Sequence, residues 1–258
     1  MEELDHQYSE TAGRGLVLYG SNDPEELVGE CIRQLEEPLS DPFTEEEFLV
    51  QSRGMATWLQ LKIAEKKEIF AHARFRFQEE AIWMILRGFL GQGPERNPYT
   101  KEGLAWKIFG LLPGLIQEHA PSFQPLGEYL GPHSDRDGNR TFRLCRQIAT
   151  LYDSYLTYRP EMILDWNGRD FPVGRDRWQG ILWHALRQSL GFETLPEKVE
   201  QLRQMPEPKR ADWLPERLSV FGVSTMPPLF LDVLQAYGQF RSLKIFSLQP
   251  APVFWGEV

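Results

Sequence analysis

The sequence predicts an α/β protein whose parallel sheet is interrupted by a long helical segment. A turn and then apolar residues at helical spacing follow each of the first three apolar runs, and strands that alternate with helices are typical of parallel sheets. Residues 52–217, between the second run and the third, show almost no strand pattern. The runs that indicate buried strands are Leu16–Tyr19, Phe48–Gln51, Leu218–Val223 and Leu243–Leu248.

The turn after the first strand, residues 20–24 (GSNDP), lies where nucleotide-binding proteins carry a phosphate-binding loop. Such a loop needs several glycines and a Gly-Lys-Ser/Thr ending, which hold the phosphates and magnesium. This turn has one glycine and no lysine, and the chain contains neither a Gly-Lys nor an Asp-Glu dipeptide. The third strand ends in Gly222-Val223-Ser224, where a helicase carries its magnesium-linked acids. We therefore predict that the chain neither binds ATP tightly nor hydrolyses it.

The long segment between the second and third strands is predicted to be an all-helical insertion. Glycine- and proline-rich linkers separate its apolar periodic stretches. The candidate helices are Gln78–Leu90, Thr100–His119, Asn139–Thr157, Asp176–Leu190 and Pro196–Gln204. The predicted organisation is a disordered leader at 1–14, an α/β domain at 15–70 and 211–258, and a helical insertion domain at 71–210.

Composition limits the function classes. The chain is 41% hydrophobic and 25% charged, as is usual for a globular protein. It has no apolar run of about 20 residues and no secretory signal, so we expect a cytoplasmic protein without membrane contact. Cys31 and Cys145 fall in helical patterns far apart and are expected to be buried thiols. The net charge of −9 argues against a free-standing, non-specific nucleic-acid binder. Because most of the acidic excess lies in residues 1–70, a local basic groove further along the chain stays open.

No pattern indicates a metal site, a cofactor or a catalytic residue. Residues 133–144 (HSDRDGNRTFRL) resemble a calcium loop, but they begin with His133 and end with Leu144, where a bidentate glutamate is needed. A solvated turn is the favoured interpretation. The histidines show no ligand spacing, and no Gly-x-Ser-x-Gly motif is present.

The helix predicted at 139–157 has two different sides. Its apolar stripe contains Phe142, Cys145, Ile148, Ala149, Tyr152, Tyr155 and Leu156. On the opposite side lie Arg140, Arg143, Arg146, Thr150, Asp153 and Thr157. One interpretation is an amphipathic surface helix with solvated arginines. The other is a nucleic-acid channel in which arginines such as Arg143 and Arg146 contact phosphates and Asp153 accepts from base amino groups.

A second mixed segment, residues 70–77 (FAHARFRF), interleaves basic and aromatic side chains. Platforms on which single-stranded bases stack use that mixture. A connecting segment with alternate residues buried is an equal alternative. The tryptophans at 58, 83, 106 and 183 lie in helical apolar patterns and are expected to be mostly core.

Several segments together resemble one family, the RecC family, at the N-terminal region of the gamma subunit of exodeoxyribonuclease V. They include VQSRGMATWLQ at 50–60, EEAIWMIL at 79–86, LAWKIFGLLPGL at 104–115, YRPEMILDW at 158–166 and LSVFGVSTMPPLFLDVLQAYG at 218–238. The resemblance covers nearly all of residues 15–258. It implies a RecA-like, superfamily 1 helicase fold that has lost its ATP motifs. It also implies assembly with an active helicase–nuclease beta subunit and a helicase alpha subunit, in a complex that unwinds and degrades DNA from double-strand ends.

The resemblance further implies that the subunit carries single strands in channels and, in characterised members, reads the Chi recombination signal. The positions that match channel-facing residues of the family are Gln51, Trp83, Leu151, Asp153 and Arg159. At Arg53, Thr57, Phe77, Thr150 and Ser154 the chain differs from the best-known members, so the recognised sequence differs, or no sequence is read. Two hypotheses stay open: a non-catalytic DNA-channel module, and a scaffold for the other subunits that never touches DNA.

Overall fold

The computed structural model of the chain describes residues 15–91, 93–94, 96–131, 138–168, 170–205 and 207–249. These residues form two compact units. Unit 1 contains the described residues of Met1–Gly91 and Met205–Val258, and unit 2 contains those of Gln92–Gln204. The predicted leader at 1–14, residues 132–137 of the predicted solvated turn and the closing segment 250–258 lie outside the described residues.

Strands occur at both ends of the described chain, and the middle is helical. In chain order the elements are β1 Leu16–Ser21, α1 Pro24–Leu35, β2 Glu46–Val50, α2 Arg53–Lys67, β3 Ala73–Phe77, α3 Gln78–Leu90, α4 Lys101–Glu118, α5 Ala120–Leu130, α6 Asn139–Tyr158, α7 Pro160–Asn167, α8 Arg177–Leu190, α9 Leu195–Arg203, β4 Arg217–Phe221, α10 Pro228–Gly238 and β5 Ser242–Leu248. Two single 3-10 turns, Gly174–Asp176 and Ala211–Trp213, complete the set.

Unit 1 is an α/β unit with one five-stranded sheet in the order β1-β5-β4-β2-β3. Every strand pair is parallel, as the sequence predicted. Helices α1 and α2 pack on one face, against alternate strand residues. On the other face α3 and α10 contact each other and the sheet. The residues beneath α1 and α2 include Tyr19, Phe48, Val50, Phe221 and Phe246.

Strand β3 is a correction to the prediction that residues 71–210 are all helical. It pairs in parallel with β2, with Phe75 opposite Phe48, and the two rings stack with centroids 4.9 Å apart. Its arginines form ion pairs, Arg74 with Glu45 and Arg76 with Glu47. Cross-strand stacking and opposite charges stabilise a parallel edge strand that has no continuous apolar run of its own.

The connections around the sheet reverse direction between β2 and β4. From β2 the chain passes through α2 on one face to β3 at one edge, and from β4 it passes through α10 on the other face to β5. Because β2 and β4 are neighbours, the connections that follow them leave to opposite faces, an arrangement that forms a crevice at the strand ends of open α/β sheets. In open α/β sheets such a switch point is where ligands usually bind.

Unit 2 consists of helices α4–α9 around an apolar core. The core contains buried aromatic residues whose polar atoms form hydrogen bonds. Tyr152 Oη donates to the carbonyl of Gln179 at 2.8 Å, and Trp183 Nε1 donates to Asn167 Oδ1 at 2.9 Å. Within the described residues, no helix is both long and apolar enough to cross a membrane.

Both cysteines are free and buried, as predicted. Burial raises the pKa of Cys31 to about 12 and that of Cys145 to about 11. Since the thiolate is the reactive form, these thiols are inert core groups.

Candidate nucleic-acid interface

The turn between β1 and α1 is closed by the chain's own acidic residues. Asp23 Oδ1 accepts from the backbone N–H of Glu25 at 2.8 Å and caps α1. The Ser21 hydroxyl donates to Glu26, which lies in the first turn with Glu25. The pKa of Glu25 is lowered because its carboxylate accepts a hydrogen bond from Lys62. A helix N-terminus attracts anions, but here carboxylates already occupy it and repel a phosphate.

Gln51 lies at the switch point, immediately after β2, with an exposed side chain. Its Oε1 accepts from the Ser224 hydroxyl at 3.3 Å, across the crevice from the segment after β4. Gln78, which opens α3, donates to the carbonyl of Thr225 at 3.1 Å. The segments that follow β2, β3 and β4 are therefore linked by hydrogen bonds near Gln51. Within the described part of the chain, the amide nitrogen of Gln51 has no hydrogen-bond partner and is available to a ligand.

Gly222 shapes the same crevice. Its φ of +64° is in the left-handed region, and its backbone N–H donates to the carbonyl of Phe246 at 3.0 Å. A Cβ at this position would lie 2.9 Å from Cε of Met55 in the first turn of α2. Glycine thus allows the chain to turn sharply after β4 while it passes close to the first turn of α2.

Trp83 is in the core of unit 1 rather than on its surface. It lies in the middle of α3 and is 3% exposed. In this structure its indole supports the fold of unit 1, as the apolar pattern around it indicated. The channel-facing role implied for Trp83 by family resemblance stays a prediction.

In unit 2, α6 presents a polar side to solvent. Arg143, Arg146 and Asp153 lie within about 80° of one another around the helix, at roughly 100° per residue. Both arginines are exposed, and within the described residues neither forms an ion pair. Asp153 pairs with Lys101 of α4, with Oδ2 and Nζ 3.1 Å apart. The three predicted side chains therefore form one face, referred to below as the α6 polar face.

Two other predicted residues of this region point elsewhere. Leu151 lies two residues before Asp153, which places it about 160° away around α6, and it is half-buried. Arg159 ends the helix, and its backbone N–H donates to the carbonyl of Tyr155 at 2.9 Å. Its side chain is exposed. The structure thus brings Arg143, Arg146 and Asp153 together, and half-buried Leu151 lies about 80° from Arg143 on the side away from Asp153.

An exposed aromatic group borders the α6 polar face. Trp106 of α4 is 63% exposed, contrary to the expectation that it lies in the core. Its ring centroid is 4.6 Å from that of Phe142, the residue before Arg143. Sequence analysis missed this residue, although helical spacing could have found it. Leu104, Ala105 and Ile108 are buried, and Trp106 is about 100–160° from them around the helix.

The segment 70–77 does not form the basic stacking platform considered above. Arg76 donates to Glu47 at 2.7 Å and to Glu80 at 2.6 Å, and Arg74 pairs with Glu45. Its guanidinium groups are therefore neutralised by carboxylates, and Phe75 is stacked on Phe48. Within the described residues, no group of three or more histidine, cysteine, aspartate or glutamate side chains could hold a metal ion.

Comparison with known proteins agrees with the resemblance in the sequence. The family model for RecC, N-terminal domain, matches residues 16–258. The chain is 32% identical to the RecBCD enzyme subunit RecC of Escherichia coli, over 94% of this chain and 22% of that protein. With the same subunit of Haemophilus influenzae the identity is 29%, over 94% and 24%. For Mycolicibacterium smegmatis it is 25%, over 86% and 20%. The chain therefore spans less than a quarter of the length of these relatives.

Proposed function

The chain belongs to the RecC family, and from this premise we propose that it is a non-catalytic DNA-channel module of a RecBCD-type helicase–nuclease. In this proposal it works with the beta and alpha subunits of exodeoxyribonuclease V in double-strand break repair and recombination. Its task is to guide unwound single-stranded DNA. Motor and nuclease activities belong to the other subunits, which is consistent with the acidic turn at the start of α1.

The observation that carries the proposal is the α6 polar face together with Trp106. Arg143 and Arg146 are exposed and, among the described residues, have no carboxylate partner. Guanidinium groups of this kind bind phosphates, and an exposed indole beside them offers a surface on which a base can stack. Proteins that hold single strands without sequence preference combine these two features.

The architecture of unit 1 supports a helicase-like origin. It has an all-parallel sheet and a strand–turn–helix at residues 16–35 in the place of a phosphate loop. We interpret unit 2 as an insertion domain between α3 and β4 of this helicase-like domain. The α/β part then includes β3 and α3, so the insertion is shorter than the 71–210 expected from sequence.

Reading of a Chi-like signal is the finer part of the proposal. Gln51 at the switch point offers a free amide nitrogen, and Asp153 offers carboxylate oxygens for which a base amino group would compete with Lys101. Trp83, Leu151 and Arg159 are proposed as channel residues on family resemblance. At Thr150 and Ser154 the chain differs from the best-known members of the family, so the DNA sequence that it recognises is expected to differ from theirs.

A scaffold without DNA contact is the second candidate, and one observation favours it. Exposed Trp106 and half-buried Phe142 form an aromatic surface, and tryptophan is also enriched at the centres of protein interfaces. In that case the α6 polar face binds another subunit, and the arginines pair with its carboxylates.

Binding of labelled oligothymidylate, followed by fluorescence anisotropy over a salt series, separates the two candidates. We expect weak binding by the 258-residue chain, because it is acidic overall. Arg143→Ala and Arg146→Ala should each lower the salt slope by about one unit or less. The matched control is Arg175→Ala, an exposed arginine of unit 2 outside α6.

The same variants, introduced into the assembled three-subunit enzyme, give the decisive result. The channel proposal requires a changed response to DNA there, with Arg175→Ala behaving as the unmodified enzyme. If Arg143→Ala and Arg146→Ala leave both the salt slope and the response of the assembly unchanged, the channel proposal is wrong and the scaffold proposal replaces it.

A further inference from the structure

Helix α6 carries a row of side chains that extends beyond the α6 polar face. The row, referred to below as the α6 ridge, consists of every fourth residue along the helix: Phe142, Arg146, Thr150, Ser154 and Tyr158. Residues four apart form one continuous ridge on a helix surface, turned by about 40° at each step. At about 1.5 Å per residue, the two aromatic ends of the ridge are about 24 Å apart along the helix axis.

Tyr158, at the far end of the ridge, has a ring that the fold of unit 2 does not use. It is the last residue of α6 and is 68% exposed. Within the described residues its hydroxyl makes no hydrogen bond and its ring has no aromatic or cationic partner, whereas the hydroxyls of Tyr152 and Tyr155 both donate to Gln179. A single exposed ring is common on protein surfaces, so its significance depends on what lies between it and Trp106.

Between its aromatic ends the ridge is low and polar. Thr150 Oγ1 donates to the carbonyl of Arg146 at 2.9 Å, and Ser154 Oγ donates to the carbonyl of Thr150 at 3.0 Å. Both hydroxyl protons are therefore directed to the helix backbone, and the oxygen lone pairs are left to accept from N–H groups of a ligand. Because both side chains are short, no bulky group of the ridge separates Arg146 from Tyr158.

The charge of this part of the chain is complementary to a polyanion. Residues 139–159 contain four arginines and one acidic residue, and that residue, Asp153, already pairs with Lys101. Arg159 directly follows the ridge and is exposed. The next acid along the chain, Glu161, lies beyond the ridge in the first turn of α7. Guanidinium groups therefore lie near both aromatic ends, and surfaces that hold single-stranded nucleic acid combine these two kinds of side chain.

We propose that Tyr158 is a second base-stacking position, so that a single strand of DNA lies along the α6 ridge with one base on Trp106 and another on Tyr158. Trp106 marks the first end because its ring lies against Phe142. This inference rests on the proposed DNA-channel function and adds a path and a length to it. At about 3.4 Å per nucleotide in a stacked strand, the ridge corresponds to about seven nucleotides, and an extended strand needs fewer.

The test compares labelled oligothymidylates of three and twelve nucleotides, with anisotropy titrations of the 258-residue chain at low salt. Only the longer strand reaches both rings. For this strand, Trp106→Ala and Tyr158→Leu should each lower affinity about tenfold, which is the effect of losing one stacked base. For the short strand each change should lower affinity about twofold or less, because the strand moves to the ring that remains. The double variant should lose about tenfold for the short strand as well.

Two controls separate stacking from other effects. Tyr158→Phe keeps the ring and should bind as the parent chain does, and so should Phe192→Ala, which removes an exposed aromatic residue of unit 2 outside α4 and α6. The leucine at 158 keeps apolar bulk and helix propensity, so Tyr158→Leu should melt at the temperature of the parent chain.

The results distinguish this inference from the function on which it rests. If Trp106→Ala weakens binding of the longer strand and Tyr158→Leu does not, the second stacking position is wrong while the DNA-channel proposal stands. If neither variant weakens it, the DNA-channel proposal fails as well. Equal losses for both strand lengths in Tyr158→Leu overturn the proposed path, because a strand that bridges two rings requires a dependence on length. A loss in Tyr158→Phe as large as that in Tyr158→Leu assigns a hydrogen bond instead of stacking and also overturns it.

Discussion

The two units hold their charged side chains in opposite ways. Counted over the full sequence, residues 1–91 and 205–258 carry the whole net charge of −9, whereas residues 92–204 have equal numbers of acidic and basic residues. At the sheet of unit 1, buried Arg217 forms an ion pair with Glu46, and partly buried Arg76 forms one with Glu47. On α6 of unit 2, Arg143 and Arg146 face solvent. Fixed pairs hold a framework together, while exposed arginines remain able to meet a polyanion.

The arginines of the two units have different roles, which is clearest at Arg217 of unit 1. Arg217 ties the start of β4 to β2 through Glu46, and it also donates to the carbonyls of Gln34 in the last turn of α1 and of Glu37 just after it. A guanidinium with so many internal acceptors is a structural group. Net charge alone therefore conceals the fact that an acidic chain can offer a locally basic face.

The largest effect should come from breaking the framework pair of unit 1. Arg217→Ala leaves Glu46 without its buried partner and should lower the free energy of unfolding by about 3–5 kcal/mol. Urea unfolding followed by circular dichroism measures it. The matched change in unit 2 is Arg187→Ala, which removes the more exposed pair with Glu197 and should cost about 1 kcal/mol or less. Equal losses in the two variants contradict the distinction between the units.

Removing the exposed indole of unit 2 should act on binding and not on stability. Trp106→Ala should weaken oligothymidylate binding by about 1–3 kcal/mol, because one base loses its stacking partner. The control is Phe43→Ala, an aromatic residue of unit 1 that is 83% exposed. Anisotropy titrations should show no change for the control. A melting temperature that falls in Trp106→Ala without loss of binding shows that the indole serves the fold instead.

At the switch point, Gly222→Ala should destabilise unit 1 by about 1–2 kcal/mol. An alanine at φ +64° is strained, and its Cβ would also meet Met55. The contrasting variant is Gly29→Ala in α1, where no atom lies within 4 Å of the added carbon. That change should stabilise by up to about 1 kcal/mol, since alanine is the better helix former. Thermal unfolding of both variants, run in parallel, is the measurement.

The smallest change should follow Asp153→Asn on the α6 polar face. It removes a partly exposed pair with Lys101, so stability should change by less than about 1 kcal/mol. Affinity for single strands should rise slightly, since one negative charge is lost beside the arginines. If Asp153 accepts from one base, competition between oligonucleotides should also show a changed preference at one position. A fall in affinity for every sequence contradicts this assignment.

Much of the fold followed from local pattern, and the exceptions have identifiable causes. The four predicted strands and the five predicted helices are all present, with ends shifted by up to a few residues. Strand β3 was missed because its stability comes from Glu47 and Phe48 on the neighbouring β2 and from Glu45 just before that strand. Helix α5 was missed because Pro121 and Pro125 resemble breakers, although Pro121 lies in the first turn, where proline is tolerated.

The candidate site was less accessible to sequence reasoning than the fold. The helical pattern correctly placed Arg143, Arg146 and Asp153 on one side of α6, because helical geometry is local. The channel-facing role of Leu151 was carried over from family resemblance and stays a prediction. Gln51 could be assigned to a strand end, but its neighbours across the crevice depend on the order of strands in the sheet. That order is set by contacts between segments far apart in the chain.

The strand order also constrains the sequence of events during translation. Strand β1 pairs with β5, with Leu16 opposite Leu243. Because Leu243 is synthesised after all of unit 2, β1 cannot pair until then. At about 5–20 residues per second, the delay on the ribosome is on the order of 10 to 45 s. During that time β2 and β3 can pair, but β1 has no neighbour and the middle of the sheet is empty. Nascent chains therefore spend this interval with open, aggregation-prone strand edges, and chaperone depletion should harm unit 1 before it harms unit 2.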